Sequence, residues 1–189
     1  NDAGAGMLQA LGATLLDAQG QPLPPGGAAL QQLAILDLST LDPRLAELRV
    51  EAAVDVDNPL LGERGASAVF GPQKGATDTD VATLDRALGH FADLTAKALG
   101  KDDRALPGAG AAGGMGFAAH CFLNATLTPG IEMIMQQANF AQLLNDADLV
   151  ITGEGRLDGQ SLAGKTPIGV SRAAKRQGKP VIVLAGSLG

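Results

Sequence analysis

One segment near the end of the chain concentrates side chains that could handle phosphate groups. Arginine and lysine hold carboxylate and phosphate oxygens, and a carboxylate such as Asp158 can accept a proton from a substrate hydroxyl. These residue types together favour phosphoryl transfer. Five such residues lie within twelve positions on what we predict to be one glycine-flanked loop: Glu154, Arg156, Asp158, Ser161 and Lys165.

The same segment contains GQSLAGKT, residues 159–166, which matches the phosphate-loop pattern G-x-x-x-x-G-K-[ST]. Two features argue against a true phosphate loop. Residues 153–158 separate the predicted strand from the first glycine, and Pro167 disfavours helical geometry at Thr166. We therefore expect Thr166 to cap the next helix from outside. An anion site made by a lysine, backbone amides and a helix N-terminus remains compatible with the segment.

Further polar residues that could join a site lie on separate upstream loops. Each of them alone is most often a solvated loop residue. Mg²⁺ is bound by few carboxylates together with phosphates, so Asp55 is the predicted metal ligand. The predicted substrate-binding residues on these loops are Asp2, Asn58 and Lys74.

The glycine-rich stretch PGAGAAGGMG, residues 107–116, spells G-x-G-x-x-G but follows no predicted strand. A dinucleotide site is therefore disfavoured. Its amides could still cradle an anion before the helix that follows. A tight turn with close helix packing explains the glycines equally well, and both interpretations stay open here. The candidate cofactor-binding residues are Gly108, Gly110, Gly113 and Gly114.

Composition excludes several other classes of protein. The chain has 189 residues, of which 46% are hydrophobic and 18% charged, so we expect a buried core. The net charge of −6 and the absence of Trp and Tyr disfavour nucleic-acid binding. The single Cys121 cannot form an internal disulfide and is predicted to be a small buried hydrophobe. No apolar run is long enough for a membrane span, and we expect a cytoplasmic protein.

The hydrophobic pattern predicts helices joined to short strands. The clearest helix is 77–99, capped by Thr77, Asp78 or Thr79. Another helix should begin at Thr128-Pro129, with the threonine as its cap. Upstream, the pattern predicts a short helix over 4–11 and strands over 13–16, 33–38 and 48–54.

The C-terminal part reads as a strand–helix–strand unit. A buried strand over 148–152 is followed by the polar segment, a helix ended by Gly178, and a second buried strand over 180–186. Such a unit has parallel strands, and ligands bind beyond the carboxyl ends of those strands.

The chain resembles type I glycerate kinases over nearly all its length. The family's segments occur in the family's order and spacing, and together they are highly specific. Gly159 and Thr166 are positions where other members differ, so the phosphate-loop spelling is interpreted as accidental. The segments that carry the likeness are NDAGAGMLQALGA, LDPRL, DVDNPLLGERGASAVFGPQKGA, PGAGAAGGMG, DLVITGEGRLDGQSLAGKTPIGV and KPVIVLAGSL.

The resemblance implies an α/β fold with a mixed α/β inserted domain and part of a Rossmann-like parallel-sheet domain. The inserted domain would cover mostly residues 1–147 and the partial Rossmann-like domain 148–189, with the active site in the cleft between them. Family members are considerably longer than this chain, which has no initiating Met. We therefore expect an internal piece of a longer protein, and an isolated piece that is inactive.

The resemblance also implies a reaction: ATP- and Mg²⁺-dependent phosphorylation of D-glycerate, with 2-phosphoglycerate expected over 3-phosphoglycerate. Arg156 and Lys74 would hold the carboxylate or phosphates, Asp158 would act as base or orient the hydroxyl, and Lys165 would stabilise the transferring group. The alternatives are a non-catalytic sensor that binds a small hydroxy acid or phosphate, and an inactive structural module. The oligomeric state stays open.

Overall fold

A computed structural model describes residues 1–157 and 166–189. It divides the chain into two compact units, Asn1–Leu127 and Thr128–Gly189. Both units contain helices and strands, which confirms the predicted α/β class. The expected domain assignment, 1–147 and 148–189, stays a prediction, as do all predictions that concern residues 158–165, which lie outside the described residues.

The first unit begins with a helix, continues with three short strands and then three helices, and ends with a fourth short strand. The predicted elements up to residue 54 are all present, although the second and third strands are shorter than expected. Strand β4, which closes the unit, was not predicted. The elements are α1 (Ala5–Ala10), β1 (Thr14–Leu16), β2 (Ile35–Asp37), β3 (Glu51–Ala53), α2 (Ala66–Phe70), α3 (Asp78–Leu99), α4 (Ala111–Leu123) and β4 (Thr126–Thr128).

Helix α3 lies at the centre of the first unit's core. Its Phe91 is fully buried, and the ring packs edge-on against Phe117 at 6.3 Å and stacks on Phe122 at 6.0 Å. The helix begins with a capping box in which Thr77 Oγ1 accepts from the Asp80 amide and Asp80 Oδ2 accepts from the Thr77 amide. The prediction of a capped helix over 77–99 is therefore confirmed.

Two small sheets support the loops of the first unit. Strands β1 and β2 are antiparallel, with Leu15 opposite Leu36, and Leu15 is buried in the core. Strand β3 pairs with β4. Nearby, the Thr126 amide donates to the Val50 carbonyl at 3.0 Å. These pairings fix the strand ends from which the polar loop 55–65 departs.

The second unit contains the predicted parallel strand–helix–strand arrangement. Strand β5 pairs with β6 in parallel register, from Val150 opposite Val181 to Leu157 opposite Leu188. A small core of Leu144, Val150 and Ala174 lies under this pair. The elements are α5 (Gly130–Gln137), α6 (Phe140–Leu143), β5 (Val150–Leu157), α7 (Thr166–Arg176) and β6 (Val181–Leu188).

The sequence predicted two buried strands, but the described residues cover only one face of this sheet. One face packs under α7, whereas the other exposes Ile151 (62%), Leu184 (62%) and Leu188 (80%). Side chains alternate between the faces of a strand, and a single helix covers only one of them. The apolar residues of both strands therefore indicate a sheet that could be covered on both faces. The described residues cover one of those faces, where α7 packs.

The start of α5 differs from the prediction by one residue. Pro129 is the N-cap, with φ −52° and ψ 132°, and its carbonyl accepts from the Glu132 and Met133 amides. Thr128 was expected to be the cap, but it ends β4 instead, because a residue before proline prefers extended geometry. Over the described ranges, none of the helices is long and apolar enough to cross a bilayer.

Candidate functional site

Strand β5 runs further than the sequence predicted and carries two of the candidate residues. Glu154 and Arg156 lie in the strand, opposite Ala185 and Ser187 of β6, so the prediction that they belong to a loop is wrong. Glycine explains the difference. A Cβ on Gly153 would lie 2.6 Å from the Leu184 carbonyl oxygen, so glycine here permits close pairing and does not mark a turn.

This longer strand removes the local arguments against a phosphate loop. Leu157 ends β5 only two positions before Gly159, whereas the sequence suggested a long separation. Thr166 is the first residue of α7 and not a cap outside it, although Pro167 occupies the first turn as predicted. Whether the segment forms a phosphate loop depends on residues 158–165, which lie outside the described residues.

Glu154 and Arg156 share one face of β5, because they are two positions apart. Glu154 is half-buried, and its Oε1 is buried without a hydrogen-bond partner in the described part of the chain. Buried carboxylate oxygens are normally paired, so an unpartnered one indicates a group that a ligand can satisfy. Arg156 is exposed. The strand thus presents an acceptor and a cation to the same side.

Asp2 has a structural task in the first unit. Its Oδ1 accepts from the Gly4 amide and its Oδ2 from the Gly6 amide, both at 3.1 Å. These two contacts hold the first turn of α1, because they satisfy amides at the start of that helix. Asp2 as a substrate ligand stays a prediction.

Lys74 lies in a pocket that the sequence did not reveal. Its Nζ donates to Oδ1 of Asn1 at 2.7 Å, and the Asn1 Nδ2 donates in turn to the Ala66 carbonyl at 3.0 Å. Both residues line a cavity of about 310 Å³ at the start of α3. Asn1 was missed, although it directly precedes Asp2 in the NDAGAG segment. A contact across 73 positions leaves no sequence signal of its own.

The segment 55–58 contains the predicted metal ligand Asp55 and the predicted substrate ligand Asn58, and it is exposed apart from half-buried Asn58. Asp57 pairs with Arg64 at 2.9 Å, and the Asn58 side chain donates to the Arg64 carbonyl at 2.7 Å. Asp55 is exposed, and it is not without an interaction partner. Among the described residues, no group of three or more His, Cys, Asp and Glu side chains could hold a metal ion. A Mg²⁺ held by one carboxylate plus phosphates and water still fits Asp55.

The glycine-rich loop has a packing reason for its glycines. Gly108, Gly113 and Gly114 have φ of 89°, 72° and 93°, the left-handed region that favours glycine. A Cβ on Gly110 would lie 2.3 Å from the Pro59 carbonyl oxygen, and one on Gly113 would lie 2.6 Å from Asn1 Oδ1. These contacts support the interpretation as a tight turn with close packing.

Several amides of this loop are already used within the protein. The Gly110 amide donates to the Asn58 carbonyl at 2.9 Å, and the Gly114 amide donates to the Gly110 carbonyl at 3.3 Å. A cradle for phosphate needs amides that point at the ligand. The role of these glycines in cofactor binding therefore stays a prediction. The structure does place the loop directly against Asn58.

Cys121 and the histidines hold structural positions. Burial raises the pKa of the half-buried Cys121 thiol to about 11, with a further contribution from Asp103, so the nucleophilic thiolate is absent at neutral pH. The His90 ring contacts the Leu33 carbonyl at 2.6 Å, and His120 contacts Asp103 at 3.1 Å. The prediction of no catalytic cysteine fits this geometry.

The candidate residues therefore form two groups. In the first unit, Asn1 contacts Lys74, while Asn58 contacts the glycine-rich loop. In the second unit, Glu154 and Arg156 share a strand face. Asp158, Ser161 and Lys165 follow that strand but lie outside the described residues. Carboxylates, lysine and arginine are the groups needed to bind anions and to move a proton from a hydroxyl.

Known proteins similar to this chain agree on one assignment. The chain is 54% identical to a glycerate kinase of Halalkalibacterium halodurans, over 100% of this chain and 50% of the relative. It is 53% identical to a glycerate 2-kinase of Escherichia coli K12, over 100% of this chain and 49% of that protein. A crystal structure assigned as glycerate kinase 2 from Salmonella typhimurium LT2 matches with a TM-score of 0.87 and 55% identity, over 99% of this chain and 50% of that one.

The matches cover the whole of this chain but only part of each relative. The chain spans about half the length of the curated relatives it matches. The profile described as "Glycerate kinase family" matches residues 1–189, which is the whole chain. That match includes the segment with the phosphate-loop spelling, and the interpretation of the spelling as accidental stays a prediction. The chain therefore belongs to the glycerate kinase family.

Proposed function

We propose that the full-length protein containing this chain transfers the γ-phosphoryl group of ATP to a hydroxyl of D-glycerate. The observation that carries the proposal is the family match over residues 1–189, together with relatives above 50% identity that are named glycerate kinases. Since the chain spans half of those relatives, the activity is proposed for the whole protein.

The product we propose is 2-phosphoglycerate. The relative from Escherichia coli, which is 53% identical, carries the name glycerate 2-kinase. The two hydroxyls of glycerate differ by one carbon, so the choice depends on how the carboxylate is held relative to the transferring phosphoryl group. A shared arrangement of carboxylate-binding residues would give a shared product.

The proposed chemistry is positioning plus electrostatic stabilisation, as is usual for phosphoryl transfer. The glycerate hydroxyl oxygen attacks the γ-phosphorus, its proton passes to Asp158, and the bond from phosphorus to the bridging oxygen of ADP breaks. Lys165 stabilises the charge that spreads over the transferring group. Ser161 and Arg156 bind substrate oxygens alongside.

Glu154 has a structural reason to face the substrate. Its buried Oε1, which has no hydrogen-bond partner among the described residues, matches a site where a hydroxyl donates a hydrogen bond. Arg156 on the same strand face matches an anionic group. In the first unit, we propose that Lys74 binds the substrate's anionic group. Asp2 and Asn58 stay predicted substrate ligands.

The cofactors we propose are ATP and Mg²⁺. The ion would neutralise charge on the phosphates, and the exposed carboxylate of Asp55 fits as its ligand in the first unit. The glycine-rich loop next to Asn58 is the proposed neighbour of the nucleotide. A site in a cleft between two domains and a cytoplasmic location stay predictions of the resemblance.

The test combines binding with turnover in the full-length protein. We expect ADP release to require D-glycerate and Mg²⁺ together, to stop on chelation of the metal, and to be much weaker with L-glycerate or glycolate as matched controls. If D-glycerate raises the melting temperature while no ADP forms under any condition, the protein is a sensor and the kinase proposal is wrong.

A further inference from the structure

Asn1 is held in one position by three separate segments of the first unit. Its side-chain amide donates to the Ala66 carbonyl at 3.0 Å. A Cβ on Gly113 would lie 2.6 Å from the Asn1 Oδ1, and a Cβ on Gly27 would lie 1.8 Å from the Asn1 carbonyl oxygen. Glycine at both positions is therefore what admits Asn1. Side chains packed this closely have their rotamers fixed.

The fixed amide of Asn1 in turn orients Lys74. The Lys74 ammonium donates to Asn1 Oδ1 at 2.7 Å, although the Lys74 side chain lies in an exposed turn. A lysine side chain has a flexible four-carbon stem and loses much rotamer freedom when it binds an anion. A contact to a neutral amide oxygen removes part of that freedom in advance and does not itself neutralise the positive charge.

The cavity beside this pair also contains an acidic group. Lys74 and Asp80 both line the pocket of about 310 Å³. Two hydrogen bonds from Thr77, through its amide at 2.9 Å and its Oγ1 at 2.6 Å, hold the Asp80 carboxylate in place. The cavity thus combines the Lys74 ammonium, the Asp80 carboxylate and Thr83 of α3. That combination fits a ligand with an anionic group and hydroxyl donors better than a bare phosphate.

We propose that Asn1 is a positioning residue, which acts through Lys74, and that this pocket binds the carboxylate of the hydroxy-acid substrate. The ammonium of Lys74 binds the carboxylate, and Asp80 accepts from a substrate hydroxyl. The inference rests on the proposed function and deepens it, because it names the substrate group and the residue that prepares its site. Glycine at positions 27 and 113 would then serve binding as well as packing, because both residues leave the space that Asn1 occupies.

A double-mutant cycle in the full-length protein tests the coupling. The variants are Asn1→Ala, Lys74→Met and the double variant. Lys97→Met is the matched control, because Lys97 is an exposed lysine on α3 away from the pocket. Binding of D-glycerate is measured by calorimetry without nucleotide, and KM is measured separately for D-glycerate and for ATP.

We expect Asn1→Ala to weaken D-glycerate binding about tenfold, the loss typical of one charge-assisted hydrogen bond. Lys74→Met should weaken it more, and Asn1→Ala should add little in the Lys74→Met background, because the residue acts through the lysine. The KM for D-glycerate should rise as binding weakens, while kcat and the KM for ATP change little. Lys97→Met should match the unmodified protein.

Three results would overturn this inference. Equal losses from Asn1→Ala in both backgrounds would mean a merely structural role. A raised KM for ATP with unchanged D-glycerate binding would assign the pocket to a phosphate. Unchanged binding in Lys74→Met would remove the pocket from recognition, even if Asn1→Ala failed to fold. Absence of D-glycerate binding by the unmodified protein would instead count against the proposed function itself.

Discussion

The two compact units of this chain differ in how far each one builds its own core. In the first unit, Leu8, Leu88 and Phe91 are fully buried in one large cluster. In the second unit, the buried cluster is small, and its parallel sheet exposes Ile151 and Leu184 on one face. A two-stranded sheet is marginal without further packing. The candidate residues of the first unit therefore rest on a complete scaffold, whereas those of the second unit do not.

The difference matters for catalysis because the predicted catalytic residues follow strand β5. The anchored contacts of the first unit, such as Lys74 with Asn1, need only that unit. Residues after β5 depend on a sheet with an exposed apolar face. Since relatives are about twice as long as this chain, we expect the rest of the full-length protein to complete the second unit.

The largest expected effect follows directly from this comparison. The isolated 189-residue chain should show no phosphorylation of D-glycerate, while the full-length protein is active. The reason is the incompletely covered sheet that precedes the proposed catalytic segment. The measurement is product formation by equal amounts of both proteins, with circular dichroism to confirm that each is folded. Robust turnover by the isolated chain would show that its second unit is sufficient.

A second expectation concerns Asp158, the proposed general base. Asp158→Asn in the full-length protein should reduce kcat by about 10²- to 10⁴-fold, the range for loss of a general base, and should weaken ATP binding far less. Asp146→Asn, which changes an exposed aspartate of the same unit, is the matched control. Unchanged turnover in Asp158→Asn would remove Asp158 from the mechanism.

The difference in cores predicts unequal costs of truncation. In the isolated chain, Phe91→Ala should lower the free energy of unfolding of the first unit by about 3–5 kcal/mol, because it empties a fully buried site. Leu184→Ala, at an exposed position of β6, should change stability by less than about 0.5 kcal/mol there. Urea denaturation measures both.

The same pair of variants in the full-length protein sharpens the comparison. Leu184→Ala should become costly if the rest of the protein covers this face, while the cost of Phe91→Ala should stay as it was. An equally small cost for Leu184→Ala in both proteins would mean that the apolar face stays exposed. The two units would then differ only in the size of their buried clusters.

A smaller effect is expected at the start of α3. Thr77→Ala should lower stability by about 1 kcal/mol, because it removes the helix cap, whereas Thr79→Ala inside the first turn should change it little. Hydrogen bonds from Thr77 lower the pKa of Asp80. This contact therefore stabilises the fold fully above the ordinary aspartate pKa and is lost as pH falls through the lowered native value.

Denaturation at neutral and at acidic pH checks this linkage. Thr77→Ala should remove the part of the acid dependence that belongs to Asp80. If the variant and the unmodified protein lose stability in parallel down to pH 3, the capping box does not account for the pKa of Asp80.

The smallest effect concerns Cys121. Because burial raises the pKa of its thiol to about 11, the native protein should react slowly with a thiol reagent at pH 7 and faster as pH rises toward that value. Urea should restore the reactivity of an ordinary thiol at pH 7. Rapid labelling of the native protein at pH 7 would contradict the assignment of Cys121 as a half-buried residue with a raised thiol pKa.

The sequence predicted those elements whose pattern is local. The spacing of Leu88 and Phe91 and the cap at Thr77 are local signals, and α3 follows them closely. The parallel pairing of β5 with β6 could be predicted because a short strand–helix–strand unit allows one topology. The family assignment likewise followed from segments read directly along the chain.

What could not be predicted depends on contacts between distant residues. Gly153 was expected to start a loop, but the nearby Leu184 carbonyl makes glycine a pairing residue, and β5 continues through Arg156. Asn1 gave no signal, because its partner Lys74 lies 73 positions away. Only the fold brings such residues together, and the periodicity of the sequence does not predict contacts between them.

The measurement that tests the central claim most directly is the identification of the product. The full-length protein is incubated with D-glycerate, ATP and Mg²⁺, and the reaction is followed by phosphorus NMR. We predict a resonance of 2-phosphoglycerate that grows as the γ-phosphate signal of ATP declines. A folded protein that binds ATP and gives no phosphorylated glycerate would contradict the account.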